Sequence, residues 1–291
     1  MPRPAALPRR PVADGSPIGH LPPGDPTTLL TRDRRERWRD SLERGRPLDV
    51  LVVGGGITGV GVALDAASRG LRVALVERAD LASGTSRWSS KLVHGGLRYL
   101  ASGQVGVAWE SARERAVLSG VVAPHLIRPL PQVIPFSDAP DEPDHRLVRG
   151  GLTAADVLRA AARTPRGMLP RARPLDPAEA IALVPSLSAD RVRGAMVLWD
   201  CQLEDDARLV VSVARTAAGY GAAILTRTEV LSIAPGEAVL RDALDGSTYS
   251  VRATHVVNAT GAWADELDDS VRLVPSRGSH VVVRSGRLGD P

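Results

Sequence analysis

The stretch DVLVVGGGITGVGVALDAASRGLRVALVE, residues 49–77, decides the fold. Residues 49–53 are short and almost continuously apolar, the pattern of a strand buried on both faces of a parallel sheet. Residues 57–68 carry Ala, Leu and Val at helical spacing, and Gly70 stands where a left-handed residue ends a helix. Residues 71–76 form a second apolar run that closes on Glu77. Strand, helix, strand is a βαβ unit. Its first joint reads Gly54-Gly55-Gly56-Ile57-Thr58-Gly59, a GxGxxG. Glycines at this spacing permit a tight turn, backbone approach to a pyrophosphate and close packing of helix on strand. The first N–H groups of the helix then point at the phosphate charge. Glu77 ends the next strand, where a carboxylate accepts hydrogen bonds from ribose hydroxyls and repels a 2′-phosphate. The unit predicts a bound dinucleotide; it excludes NADP more firmly than it separates NAD from FAD.

Working outward, residues 1–28 are rich in Pro, Gly and Arg and predict disorder. Residues 31–44 predict a short, solvated, mixed-charge helix. The arginines of this first stretch have a single aromatic among them, Trp38, and alternate with Asp33, Glu36, Asp40 and Glu43, so nucleic-acid binding is not expected. Anionic lipid headgroups remain a chemically suitable contact. Downstream, residues 107–122 and 206–220 predict helices. Residues 222–226, 228–233, 238–241, 248–251, 254–258 and 279–283 predict short strands, with Asp245-Gly246 as a turn. Residues 129–174, broken by Pro, Gly and charge, give no clear pattern.

The chain has 291 residues, 43% of them hydrophobic and only 3% aromatic, so aliphatic residues and Ala must fill the core. No apolar run has the length of a membrane span, and no secretory leader is expected. These features predict a cytoplasmic protein whose membrane contact, if any, is peripheral, on the cytoplasmic face. Cys201 is the single cysteine; its acidic neighbours argue for an inert, buried thiol. Lys91 is the single lysine among 37 basic residues, which suggests a position where a compact ammonium is needed.

A long dinucleotide needs contacts beyond the first unit. Directly after Glu77 comes SGTSRWSSK, residues 83–91, with hydroxyls, backbone N–H groups and the lysine. LVHGGLRYL, residues 92–100, pairs glycines with a His and an Arg, as for backbone pressed against a flat ligand with charge aimed at an anion. VVNATGAW, residues 256–263, ends a strand in small residues.

The segment SSKLVHGGLRYL resembles the hallmark of the FAD-dependent glycerol-3-phosphate dehydrogenases. So do the opening GGGITGVGVALDAASRGLRVALVE, and APHL, DCQLEDDARL, NATGAW and GSHVVV in order after it. The resemblance implies an α/β fold: a Rossmann-like FAD-binding domain of the glutathione-reductase/amino-acid-oxidase type with part of an interleaved antiparallel-sheet substrate domain. On this reading residues 1–47 are a tail. FAD-binding parts occupy about 48–125 and 200–275, and substrate-domain parts about 126–199 and 276–291. The implied FAD contacts are Gly54, Gly56, Gly59, Glu77, Thr85, Ser86, Ser89, Ser90, Lys91, His94, Ala259 and Gly261. Arg98, Tyr99 and His280 are implied for the substrate, with Arg98 pairing with a phosphate and His280 the candidate base. No metal site is expected.

The implied reaction moves a hydride from sn-glycerol 3-phosphate to the flavin, with membrane quinone as the final acceptor; a homodimer is compatible with it. Three alternatives stay open. They are an oxidase using oxygen, another flavin oxidase acting on an amino acid, and an inactive nucleotide-binding remnant. The sequence departs from the family at Trp88, at Ala262 in place of Pro, and over residues 136–173. Family members are longer, so the chain is expected to lack further substrate-binding residues, a final flavin contact and a helical domain.

Overall fold

A computed structural model of the chain describes residues 21, 24–96, 99–100, 102–138, 145–164, 167–279 and 281. They divide into two compact units. The first runs up to Ser89 and resumes over Asp205–Ser276; the second holds the described residues of Ser90–Glu204, with 277–279 and 281. The first division falls at Ser89/Ser90, well before the expected boundary near residue 125.

In the first unit, β1 (Leu48–Val53), α2 (Ile57–Ser68) and β2 (Val73–Glu77) form the βαβ unit. β7 (Ala223–Thr226) pairs parallel with β2, and β10 (Thr248–Asn258) pairs parallel with β1. β9 (Glu237–Asp242) and β8 (Thr228–Ala234) extend the sheet antiparallel, giving the order β7-β2-β1-β10-β9-β8. Residues 248–251 and 254–258, read from sequence as two strands, are one. Side chains alternate across β1: Val52 joins one buried cluster, while Leu51 and Val53 join another. The first cluster contains Ala63, Ala66 and Ala67 of α2 together with Ala214, Ala217 and Ala218 of α6 (Asp206–Gly219). These methyl-sized side chains let the two helices approach closely, which accounts for a core nearly free of aromatics.

The expectation that residues 1–47 form a tail fails at residues 31–44: the predicted helix is there, but it is docked and not solvated. Arg32–Arg44 is helix α1, N-capped by the Thr31 hydroxyl, and it packs on the sheet. Leu42 is buried and Trp38 packs against both apolar clusters. Arg35 turns inward, and its two terminal nitrogens reach the two carboxylate oxygens of Asp242 at 2.8 and 2.9 Å. Asp242 has no solvent exposure. Burial alone would raise its carboxyl pKa; the Arg35 bonds, the Leu244 N–H and Arg39 outweigh that and hold it below the ordinary value. An arginine count cannot show which guanidinium has a buried partner some 200 residues away.

The second unit is built on β6 (Gly194–Leu203), which pairs antiparallel with β4 (Ile127–Phe136) along its whole length. β3 (Leu92–Val93) and β5 (Arg173–Leu175) also pair with β6. Pro129, Pro131 and Pro135 all lie in β4 on the same alternation. Successive residues of a strand turn their N–H groups to opposite sides, so the prolines strip donors from one side only and leave the ladder to β6 intact. Helices α3 (Val105–Val117), α4 (His145–Ala161) and α5 (Pro177–Leu183) complete the unit; a reciprocal Asp176/Glu179 capping box starts α5. The strand expected at 279–283 falls on residues outside those described, apart from Ser279 and Val281, which are not in a strand. No helix among the described residues is long and apolar enough to cross a membrane.

Candidate functional site

In the first unit the glycine turn and the end of β10 lie side by side. Val53 and Asn258 are register partners, and the Ala259 N–H donates to the Val53 carbonyl at 2.8 Å. Gly54 has φ +113°, and a Cβ there would fall 2.5 Å from the Ala259 carbonyl oxygen. A Cβ on Gly59 would fall 1.9 Å from the carbonyl oxygen of Gly54. Both obstacles are backbone, so only glycine fits. Gly56 is looser: its Cβ would meet the Ser86 hydroxyl at 3.0 Å.

Glu77 braces this turn. One carboxylate oxygen accepts from the Gly55 N–H at 2.7 Å, the other from the Ala79 N–H at 2.8 Å. Each oxygen retains a second lone pair for a hydroxyl donor. At the start of α2, the Ile57 N–H donates to the Ser86 hydroxyl at 2.9 Å. Thr85 and Ser86 belong to a one-turn 3-10 helix, Thr85–Trp88, that follows β2. Gly84 just before it packs on the Trp263 ring, 2.9 Å from a would-be Cβ, so the loop after β2 meets the segment holding Gly261. Asn258 shapes that segment, its side-chain Oδ1 accepting from the Thr260 N–H and hydroxyl.

Sequence reasoning passed over Asp206. It is buried at the start of α6, and one carboxylate oxygen accepts from both the N–H and the hydroxyl of Ser89, at 3.1 and 2.8 Å. The signal was the pair Asp205-Asp206: Asp205 caps the helix, which leaves Asp206 for another task.

In the second unit Lys91 is half-buried with φ +58°, and its carbonyl accepts from the Leu203 N–H at 2.7 Å. Ser90 and His94 are exposed; the rings of His94 and Tyr99 lie 6.1 Å apart. Gly95 and Gly96 were read as backbone pressed against a flat ligand. That reading needs correction, because α3 fills the side-chain positions of both: Arg115 lies against Gly95 and Ala108 against Gly96. Cys201 is buried, and burial raises its thiol pKa, as expected of an inert thiol. Arg98 and His280 lie outside the described residues.

The family model described as FAD dependent oxidoreductase matches residues 49–290. The chain belongs to that family. Among curated relatives, "Glycerol-3-phosphate dehydrogenase 1" of Mycobacterium tuberculosis is 48% identical over 91% of this chain and 51% of its own length. "Glycerol-3-phosphate dehydrogenase, mitochondrial" of Macaca fascicularis is 36% identical over 92% of this chain and 37% of its own. A glycerol-3-phosphate dehydrogenase structure from Bacillus halodurans, complexed with FAD, matches with TM-score 0.58 and 28% identity, covering 81% of this chain and 38% of that one. The chain thus spans about half the length, or less, of the relatives it matches. For an FAD dependent oxidoreductase, the turn in the first unit fits its cofactor. Gly54 and Gly59 leave no side chain between backbone and a diphosphate, and Glu77 keeps acceptor capacity for a ribose.

Proposed function

We propose that this chain carries the FAD-binding core and part of the substrate-binding portion of a glycerol-3-phosphate dehydrogenase, which oxidises sn-glycerol 3-phosphate to dihydroxyacetone phosphate. The observation that carries the FAD half is the backbone contact between Gly54 and Ala259, which only glycine permits and which presses the two small-residue segments together. The relatives' names support the substrate half. FAD, when bound, supplies the two-electron acceptor.

The backbones of Gly54, Gly56 and Gly59 hold the diphosphate, with Glu77 on the ribose hydroxyls. Thr85, Ser86, Ser89 and Ser90 contribute hydroxyls and N–H groups, while Ala259 and Gly261 admit the cofactor from the β10 side. Lys91 or His94 would favour negative charge on a reduced flavin ring. Arg98 grips the substrate phosphate, Tyr99 adds a hydrogen bond, and His280 accepts the proton of the C2 hydroxyl. Electrons pass on to membrane quinone, from a cytoplasmic protein resting peripherally on the membrane; the assembly we favour is a homodimer.

The test is direct. Purified protein is expected to carry flavin absorbance and to reduce an artificial dye with glycerol 3-phosphate but not with glycerol. A colourless chain that takes up no added FAD sinks the first half. A yellow chain indifferent to glycerol 3-phosphate sinks the second. Peroxide release under air separates an oxidase from the dehydrogenase.

Glu77→Gln gives a sharper test of the turn. A carboxylate can accept from both Gly55 and Ala79 N–H groups; an amide can serve one and must face the other with its NH2. Losing one such bond costs about 1.5 kcal/mol, so FAD affinity is expected to fall roughly tenfold in a fluorescence titration.

A further inference from the structure

Arg115 stands where a helix pointing into a core should carry an apolar side chain. Ala108, Ala112 and Arg115 of α3 and Ser119, in the helical turn Leu118–Val122 that continues it, repeat at intervals of four, three and four, and all four are buried. The guanidinium donates to the Asp200 carboxylate of β6 at 2.8 Å, with 8% and 9% of the two side chains exposed. Its Nε is buried with no hydrogen-bond partner. A well-packed apolar pair would serve stability at least as well as an incompletely satisfied ion pair, so the placement calls for another reason.

Gly95 supplies it. A Cβ on Gly95 would fall 2.2, 2.4 and 2.6 Å from Nη1, Cζ and Nη2 of Arg115, so the flat guanidinium lies directly against this residue. One residue on, Gly96 has φ +81°, and its would-be Cβ lies 2.8 Å from the Ala108 Cα. The other end of the segment is held by β6. The Lys91 carbonyl accepts from Leu203, and Leu92 and Val93 pair with Gln202 and Cys201, the residues directly after Asp200. The Arg115–Asp200 bond therefore joins the two clamps, α3 and β6, that grip residues 91–96. His94 lies between the clamped ends, with Tyr99 just beyond.

We infer that Arg115 is a positioning residue: its guanidinium, fixed by Asp200, is the floor that sets the Gly95 backbone and thereby His94 and its ring neighbour Tyr99. This rests on the substrate role proposed above for Tyr99. Its mark is an effect on phosphate-ester affinity that exceeds any effect on folding or flavin content.

The test uses the full chain loaded with FAD and three variants: Arg115→Lys, Gly95→Ala and the double. Lysine keeps the charge opposite Asp200 but offers no plane beneath Gly95. Three quantities are read: flavin per protein, Tm, and the Kd for dihydroxyacetone phosphate from the change in the flavin spectrum. Each single variant is expected to raise that Kd about tenfold, with flavin content within about twofold of wild type. The double variant is expected to match Arg115→Lys alone, because removing the plane leaves room for the methyl that Gly95→Ala adds. Independent effects, multiplying to roughly a hundredfold in the double variant, overturn the inference. So does a loss of Tm and flavin together with an unchanged Kd. A wild-type chain whose flavin does not respond, or which holds none, overturns the functional reading and this inference with it; a responsive wild type with multiplying variants overturns the inference alone.

Discussion

Gly59→Ala is expected to be purified without flavin. The added methyl would lie 1.9 Å from the Gly54 carbonyl oxygen, well inside contact distance, and that oxygen belongs to the turn itself. Moving it opens the joint between β1 and α2 that the proposed diphosphate site requires. Overpacking against movable side chains costs about 1–3 kcal/mol, and a backbone obstacle should reach the top of that range. At about 1.4 kcal/mol per decade, FAD affinity should fall by roughly a hundredfold or more. Gly61→Ala is the control: it lies in the same helix, with nothing within 4 Å of its would-be Cβ. Alanine there should stabilise by about 0.5–1 kcal/mol and leave the flavin in place. Equal flavin content in both variants would remove the structural basis of the cofactor assignment.

Asp242→Ala is the second large effect. It leaves Arg35 charged, almost buried and without its carboxylate, for a cost of about 3–5 kcal/mol. In a chain of this size that is a fall in Tm on the order of 6–20 °C. Because Arg35 ties α1 to the sheet, trypsin should cut the variant within residues 32–46 far faster than wild type. Arg35→Met combined with Asp242→Asn removes both charges and should recover most of the loss. An unchanged Tm in Asp242→Ala would show the pair to be idle.

The same pair sets an acid limit. The Asp242 pKa is lowered in the fold, so its contribution is complete above the ordinary carboxylate value of about 4 and disappears as the pH falls through the lower, folded value. Wild-type Tm should therefore drop on acidification through this window, and the drop should be smaller in the Arg35→Met/Asp242→Asn chain.

Where local pattern and final structure agree, the sequence is easy to read. β1, α2 and β2 announce themselves because two apolar runs, a helical repeat and the glycines all point one way. The parallel neighbour β10 was harder: Arg252 and Thr254 expose their side chains on either side of buried Ala253, which made one long strand look like two. β6 went unread because GAMVLWDCQL is buried almost throughout and so lacks alternation. β4 was hidden by its prolines. Long-range partnerships left the weakest traces. Arg35 with Asp242, Arg115 with Asp200, and Asp206 with Ser89 join residues far apart in the chain, and no window of sequence contains both members. Of the residues assigned to the candidate site, those in the glycine turn were legible because backbone closeness demands a residue type. The Gly95-Gly96 pair misled for the same reason: glycine marks close approach without saying what approaches.

The prolines of β4 give the second unit's sheet a preferred direction of growth. An extended segment arriving at the outer side of β4 finds carbonyl oxygens but few amide hydrogens, so it cannot complete a ladder there. On the opposite flank of β6, β3 meets only Cys201 and Gln202 and β5 only Ala195, Met196 and Val197, leaving a short gap between them. An accreting strand, whether from a misfolded neighbour or a domain-swapped copy, is thus steered away from the longest edge the sheet presents.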